Sequence, residues 1–338
     1  MIFRNISLKP YNTFGLDYKA DSLLTIDSVE EAVSFFRKRG KNDKPFLILG
    51  DGSNILFTED YDGTIIRPDF GRIRIENQDN EYVIISAGAG IEWDKFVEWT
   101  VDQGYGGLEN LSLIPGRVGA APVQNIGAYG AEVKDTIIMV KTVSATYGLE
   151  RLFSNHECGF GYRNSVFRNA EKGKYLITEV YFKLGKNPLF KLDYGPLKEK
   201  VMKSGGPTLR NIRAAVINIR RNKLPDPAVI GNAGSFFRNP LVSLSVAEIL
   251  KKDNPQMPCY DDSSGRKKLA AAWLIDQCGW KGKRIDDAGI HEKQALVLVN
   301  HGNATGREIY ELSEKIRESV SARFGILLER EVEIVGTI

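Results

Sequence analysis

Residues 114–130 read IPGRVGAAPVQNIGAYG, with four glycines, three alanines and one charged residue, Arg117. A loop this long costs conformational entropy to order, and one that avoids bulk and charge gains little from its own side chains. Its ordering makes most sense if the backbone lies against a partner, and a large flat aromatic cofactor is such a partner. A packed connecting loop is the other reading, and the flanking segments have to decide between them. Upstream, YGGLENLSL continues the same small-residue character from residue 105 and adds Gly107.

Before this loop, apolar residues alternate between the two regular periods. SVEEAVSFFRKRG, 28–40, predicts a helix in which Ser28 and Glu31 form a capping box, Val33 and Phe36 share a face, and Gly40 can end it. PFLILG, 45–50, reads as a buried strand; EYVIISAGAG, 81–90, reads as another, followed by a helix in IEWDKFVEWTVDQG that Gly104 stops. After the loop, strand-like alternation at 137–146, 175–184 and 212–219 predicts a β-rich middle. LPDP, 224–227, marks a linker. Beyond it, KKLAAAWLIDQCG, 267–279, predicts an alanine-rich helix ended by Gly279. A longer helix is predicted over 305–325: Thr305 and Glu308 make a capping box, Ile309, Leu312, Ile316, Val320 and Phe324 recur three or four apart, and Gly325 closes it. Strands in ALVLVN and EVEIVG flank that helix.

The 338 residues suffice for two or three domains, and no repeat or low-complexity segment interrupts them, so the class is α+β. With 42% apolar and 26% charged residues and a net charge of +3, the chain reads as soluble and globular, with no general attraction for nucleic acid or membrane. MIFRNISLKP lacks the apolar core and cleavage site of a secretory signal, and no run approaches the ~18 apolar residues of a spanning helix, so a cytoplasmic protein is expected. Cys158, Cys259 and Cys278 are odd in number and far apart, which predicts reduced thiols and gives no zinc spacing.

LGDGSN, 49–54, directly follows a predicted strand. Its glycines let backbone N–H groups converge on an anion, and Ser53 and Asn54 add donors, so a phosphate could be held there. GxGxxG fails at Ile55, no GxxxxGK exists, and a plain tight turn explains the segment equally well. A scattered polar set comprises Tyr162, Arg163, Asn164 and Ser165, then Arg220, Arg221 and Lys223, then Ser235, Asn239 and Glu331. Arginine suits carboxylates and diphosphates, but each of these residues alone is more commonly a solvated surface group. Ser235 sits in GNAGSFFRNP without a GxSxG frame, His156, His291 and His301 show no ligand spacing, and HExxH is absent, so neither a serine hydrolase nor a metal centre is supported.

Taken together and in order, NTFGLDYKA (12–20), LGDGSNILF (49–57), IPGRVGAAPVQNIGAYGAE (114–132), FGYRNSVF (160–167), KLPDPAVIGNAGSFFRNP (223–240) and the terminal LEREVEIVG resemble the flavin enzymes of the UDP-N-acetylenolpyruvoylglucosamine reductase family, MurB, of bacterial peptidoglycan synthesis. The resemblance spans nearly the whole chain. It implies an FAD-binding two-subdomain fold of the MurB and vanillyl-alcohol-oxidase-like kind, plus a carboxy-terminal α+β substrate-binding domain. Residues 1–68 would form the first subdomain, completed by the strand near 327–338, residues 69–222 the second, and residues 223–326 the substrate domain. Noncovalent FAD would lie against Gly50, Asp51, Gly52, Ser53, Asn54, Ile114, Gly119, Ala120, Gly127 and Ile177. NADPH would be the reductant, UDP-N-acetylglucosamine enolpyruvate the substrate, and the protein a monomer.

The same resemblance assigns the polar set. KLDYGPL matches the tyrosine-bearing loop of the first of the family's two structural types, which makes Tyr194 a uracil or phosphate contact. Lys223 and Asn239 would bind the substrate's phosphates, with Tyr129, Tyr162 and Gln294 lining the site. The chemistry implied for the flavin is hydride transfer, from NADPH and then to carbon 3 of the enolpyruvyl ether. A proton must then reach carbon 2, and family analogy gives this task to Ser235, with Arg163 and Glu331 stabilising the enolic carboxylate. An unactivated hydroxyl suffices, because the enolic intermediate is a strong carbon base. Arg330 departs from the family pattern, which commonly has proline before the glutamate, and predicts a less rigid approach to Glu331. A flavin-dependent alcohol oxidase and a catalytically silent nucleotide-sugar binding protein are the competing functions; an oxidase would have no enol to protonate.

Overall fold

The computed structural model describes residues 2–40, 42–262 and 264–337. Met1 and Ile338, which bound the expected subdomain, lie outside the described residues. The chain divides into two compact units, the first built from Met1–Ile6, Ala20–Asp51 and Asp62–Asn222, the second from Ser7–Lys19, Gly52–Tyr61 and Lys223–Ile338.

The first unit contains two large sheets and the short antiparallel pair Gly127–Ala128 with Ala131–Glu132. One has the strand order Ile2–Ser7, Lys19–Ile26, Tyr61–Pro68, Phe46–Ile48, the last pair being parallel. The predicted amino-terminal helix is Val29–Lys38; the Ser28 hydroxyl accepts from the Glu31 N–H, and the helix ends before Gly40. Its Ala32 and Phe36 pack with Leu24, Ile26, Ile66, Val143 and Leu176. The second sheet is antiparallel, in the order Glu150–Ser154, Ile137–Ser144, Tyr175–Gly185, Tyr82–Gly88, Ile73–Gln78. Across it lies the helix Trp93–Asp102, whose Trp93, Phe96, Val97 and Val101 are buried. Phe96 and Phe182 meet with ring centroids 4.9 Å apart, and Trp93 stands 6.2 Å from the same ring. Each such aromatic removes roughly 150–250 Å² from water, worth a few kcal/mol, which fixes the helix on the sheet.

Residues 212–219, expected as a strand, belong instead to the helix Leu209–Lys223. Ile212, Ala215, Val216 and Ile219 fall on one helical face and pack against Leu197 and Val201 of the helix Leu197–Lys203. The start signal is Thr208, whose hydroxyl accepts from the Asn211 N–H at 3.1 Å.

The second unit has its own core, in which Phe14, Leu16 and Leu56 join Phe236, Phe237, Leu274, Leu298, Ile309 and Ile316. One sheet runs Gly231–Ser235, Val297–Asn300, Ala288–Ile290, Arg284–Ile285; a smaller one runs Leu241–Val242, Lys267–Leu269, Cys259–Asp261. The helix expected over 267–279 is therefore shorter. Lys267–Leu269 pairs with a strand on each side, and the helix is Ala271–Gln277. The long carboxy-terminal helix, Gly306–Phe324, has the reciprocal Thr305 and Glu308 capping box, and Gly325 follows at φ +66°. Of the flanking segments, ALVLVN supplies the strand Val297–Asn300, and EVEIVG supplies Glu333–Val335, parallel to Ile55–Phe57. The three cysteines are free. Among the described residues, no helix is long and apolar enough to cross a membrane.

Candidate active site

In the first unit, the 114–130 loop is tied along the end of the strand Tyr82–Gly88. Trp93 N–H donates to the Gly116 carbonyl at 2.9 Å, Val118 N–H to Ile91 at 2.9 Å, and Gly119 N–H to Ala89 at 3.0 Å. A Cβ on Gly119 would stand 2.6 Å from that of Ala89, so this glycine permits the loop and the strand end to touch. Arg117 makes the longest-range tie. Its Nε donates to Asp51 Oδ1 at 2.6 Å and its Nη1 to the Gly90 carbonyl at 2.6 Å, which fastens the loop to the Gly50–Asp51 turn.

Further along, Asn125 is fully buried at φ +46°. Its amide donates to the Gly161 carbonyl at 3.0 Å and to Glu132 Oε2 at 3.1 Å, while its Oδ1 accepts from Lys134 N–H at 3.0 Å. This holds the loop to the GYRN turn, which reciprocal bonds between Gly161 and Asn164 close at 3.0 and 3.2 Å. Arg163 occupies that turn at φ +51° and donates from Nη2 to the Gly127 carbonyl at 2.8 Å, with its guanidinium 5.6 Å from the Tyr162 ring centroid. Tyr129, at φ +48°, meets Tyr194 edge to face at 6.0 Å, and its carbonyl accepts from Asn110 Nδ2 at 2.8 Å. Burial raises the Tyr129 pKa, and the nearby Arg220 partly offsets this. Arg220 donates from Nε to the Leu113 carbonyl at 3.1 Å, and burial lowers its pKa. Leu113, Asn125, Tyr129 and Arg163 are four of the six non-glycine residues with positive φ among those described. Two of the four, Tyr129 and Arg163, are expected substrate or catalytic residues, so part of the backbone strain falls at the expected site, where function commonly stores it. Of the remaining expected contacts in this unit, Ile177 is buried on Tyr175–Gly185 opposite Thr142, Ile114 is half-buried, and Ala120 is exposed in the turn Val118–Ala120.

The second unit gathers another subset. Ser235 ends Gly231–Ser235 opposite Val297, after a register shift in which Gly234 takes φ +67° and the Asn232 side chain accepts from Gly234 N–H at 2.9 Å. The chain continues into Phe236, whose N–H donates to Leu296 at 2.7 Å and whose carbonyl accepts from Glu331 N–H at 2.8 Å. Ser235 and Glu331 therefore sit on adjoining, paired segments, rooted by Phe236 and Phe237, which are essentially inaccessible. Gln294 lies at the bend beside them, its carbonyl accepting from Val297 N–H at 3.0 Å. Asn54 completes the group: its side chain donates to the Glu331 carbonyl at 3.0 Å, and its own carbonyl accepts from Glu333 N–H at 3.0 Å.

Of the other expected residues of this unit, Gly52 and Asn239 have structural roles. Gly52, at φ +62°, would bring a Cβ within 2.1 Å of the Tyr11 carbonyl, so it is required by the neighbouring chain. Ser53 follows it in the same turn. Asn239 Oδ1 accepts from Ala271 N–H at 3.0 Å at the start of the helix Ala271–Gln277, and Lys223 is exposed. Arg330, expected to loosen the approach to Glu331, is instead anchored: it donates to Ser313 Oγ at 3.0 Å, pairs with Glu314, and lies 4.4 Å over the Tyr310 ring.

Two family descriptions match this chain. "FAD binding domain" covers residues 20–149, and "UDP-N-acetylenolpyruvoylglucosamine reductase, C-terminal domain" covers 226–335. Among similar proteins, the UDP-N-acetylenolpyruvoylglucosamine reductase of Flavobacterium johnsoniae is 46% identical, with 98% of each chain covered. That of Pseudomonas aeruginosa is 47% identical, with 96% of each covered. The chain belongs to the UDP-N-acetylenolpyruvoylglucosamine reductase family. A crystal structure of the MurB enzyme from Thermus caldophilus superposes with a TM-score of 0.69 at 25% identity, covering 99% of this chain and all of that one. The MurB-like α+β fold, the FAD dependence and the oxidoreductase class stated from the sequence all hold.

The first unit fits the FAD of this family on its own geometry. Among the described residues, no protein acceptor takes the N–H of Gly50 or Asp51, and a Cβ on Gly50 would meet only Arg117 side-chain carbons, at 3.9 and 4.0 Å. Open glycine backbone with spare donors suits the diphosphate of a dinucleotide. The sequence did not mark the residues that shape the surroundings of the 114–130 loop, namely Arg117, Asn110, Asn125 and the buried Arg213, which grips Asp94 at 2.6 and 3.0 Å. The available signal was chemical: one arginine and one buried-type asparagine inside an otherwise apolar, glycine-rich run.

Proposed function

We infer that this chain reduces UDP-N-acetylglucosamine enolpyruvate to UDP-N-acetylmuramate, with NADPH as reductant, in peptidoglycan precursor synthesis. The observation that carries the reading is the pairing of the Ser235 and Glu331 segments within a chain related over nearly its full length to named reductases. The chemistry that bound FAD supplies is hydride transfer, from NADPH and then to carbon 3 of the substrate. Ser235 Oγ delivers the proton that carbon 2 then needs, from a backbone that a glycine-assisted bulge turns out of regular strand geometry. Glu331 and Arg163 stabilise the charge that develops on the enolic carboxylate.

We propose binding roles on the same basis. Gly50 to Asn54, Ile114, Gly119, Ala120, Gly127 and Ile177 contact the cofactor, and Tyr129, Tyr162, Tyr194, Lys223, Asn239 and Gln294 contact the substrate. Residues 1–68, completed by the strand near 327–338, and residues 69–222 act as the two cofactor subdomains and residues 223–326 as the substrate domain. The protein works as a monomer in the cytoplasm, where NADPH and nucleotide sugars are available, without binding nucleic acid or entering a membrane.

The test separates the two half-reactions under anaerobic conditions. Ser235→Ala should leave reduction by NADPH near normal and slow reoxidation by the enolpyruvyl substrate by orders of magnitude, ~10²-fold or more. Equal losses in both halves would make Ser235 structural. Reoxidation by oxygen but not by that substrate would remove the reductase assignment.

A further inference from the structure

We propose that Arg117 is a positioning residue for the cofactor: by neutralising the Asp51 carboxylate within the Gly50–Asp51 turn, it makes that turn able to accept a diphosphate. This rests on the reading that the FAD diphosphate lies at that turn. The turn offers the spare N–H donors of Gly50 and Asp51, but it also carries a carboxylate, which would repel the anion it is meant to hold. Arg117 Nε binds Asp51 Oδ1 at 2.6 Å, and Arg67 Nη2 approaches the same oxygen at 3.3 Å.

Arg117 does not have Asp51 alone. Its Nη1 also donates to the Gly90 carbonyl at 2.6 Å and to Asp69 Oδ1 at 3.2 Å. The four charged side chains, Asp51, Asp69, Arg67 and Arg117, therefore sum to zero, and losing Arg117 leaves the turn net negative. The Arg117 side chain is 16% exposed and that of Asp51 28%, so solvent screens their pairing only partly. The arginine also anchors the 114–130 loop beside the turn, and charge and anchoring make opposite predictions for a double substitution.

The experiment measures FAD affinity of the apoprotein by quenching of flavin fluorescence, with apoprotein thermal stability followed in parallel. Arg117→Ala should weaken FAD binding by about ten- to a hundredfold. Arg117→Lys, which keeps the charge, should restore most of that affinity. The double variant Arg117→Ala with Asp51→Asn should bind FAD more tightly than Arg117→Ala alone, because the uncompensated carboxylate is gone. A double variant that binds as weakly as Arg117→Ala, or more weakly, or losses that simply follow apoprotein stability, would overturn the proposal.

Gly50→Ala distinguishes this failure from failure of the placement. Its backbone is not in the left-handed region and the new Cβ has room in the protein, so the apoprotein should be as stable as the parent. FAD affinity should still fall if the diphosphate lies against that residue. Normal FAD binding by Gly50→Ala would remove the placement and the proposal together. Weakened binding there with no recovery in the double variant would remove the role of Arg117 alone.

Discussion

Arg163 carries its guanidinium on a backbone at φ +51°, between Tyr162 and Asn164 in a tight turn. A side chain with a Cβ pays roughly 1 kcal/mol or more for that conformation, and glycine does not. The turn thus holds strain at the position whose charge the proposed chemistry uses, and the bond from Arg163 Nη2 to the Gly127 carbonyl at 2.8 Å helps maintain it. Two substitutions separate backbone from side chain. Arg163→Gly and Arg163→Ala both lose the guanidinium, and both should slow reoxidation by the enolpyruvyl substrate. In urea unfolding, Arg163→Gly should be more stable than Arg163→Ala by about 1 kcal/mol, because only alanine retains the strain. Equal stabilities would mean that the turn relaxes when the arginine leaves. The sequence named Arg163 through the family resemblance, but nothing local in GYRNS marks its backbone as strained.

At the scale of elements, Gly306–Phe324 shows a conflict between propensity and contact. Gly306 is the first residue of the helix, after the Thr305 cap. Helix propensity alone favours alanine over glycine, by about 1 kcal/mol in a helix interior and by less at the first position. A Cβ at that position would sit 1.7 Å from the Phe57 carbonyl oxygen, which is backbone and cannot swing away. Overpacking of this kind costs about 1–3 kcal/mol and sometimes more, so contact wins. Gly306→Ala should therefore lower stability in urea by about 2 kcal/mol, where propensity forecasts a gain. This helix was legible because a capping box and five apolar residues at the right period agree. Leu209–Lys223 was misread because Ala215, Ile217 and Ile219 recur every second residue, as on one face of a strand, and Thr208 was passed over as its cap. Lys267–Leu269 was absorbed into a helix because pairing on both sides is set by distant strands. The small-residue character of the 114–130 loop was legible from its lack of bulk, yet its ties through Arg117 to Asp51 and Asn125 to Gly161 span 66 and 36 residues. Periodicity within a segment carries no information about such partners.

At the scale of the whole molecule, the second unit is assembled from three separate stretches of chain. Residues 226–335, the part matching the family's carboxy-terminal description, look like a natural fragment to express alone. The packing argues otherwise. Phe14, Leu16 and Leu56 are 1%, 3% and 0% exposed in the core that residues 223–338 otherwise dominate. The Phe14 carbonyl accepts from Asn300 Nδ2 at 3.0 Å, Asn232 N–H donates to Thr13 at 2.9 Å, and Ile55–Phe57 is the strand on which Glu333–Val335 pairs. Deleting three large buried side chains costs about 2–5 kcal/mol each, or roughly 6–15 kcal/mol together, against a typical domain stability of about 5–15 kcal/mol. The main-chain partners left bare add to that loss. A fragment of residues 223–338 should therefore lack a cooperative urea transition and fixed near-ultraviolet aromatic dichroism, whereas the full chain should show both. A cooperative transition in the fragment would mean that the core closes over the vacated space, and that residues 7–19 and 52–61 contribute to the site more than to the stability of this unit.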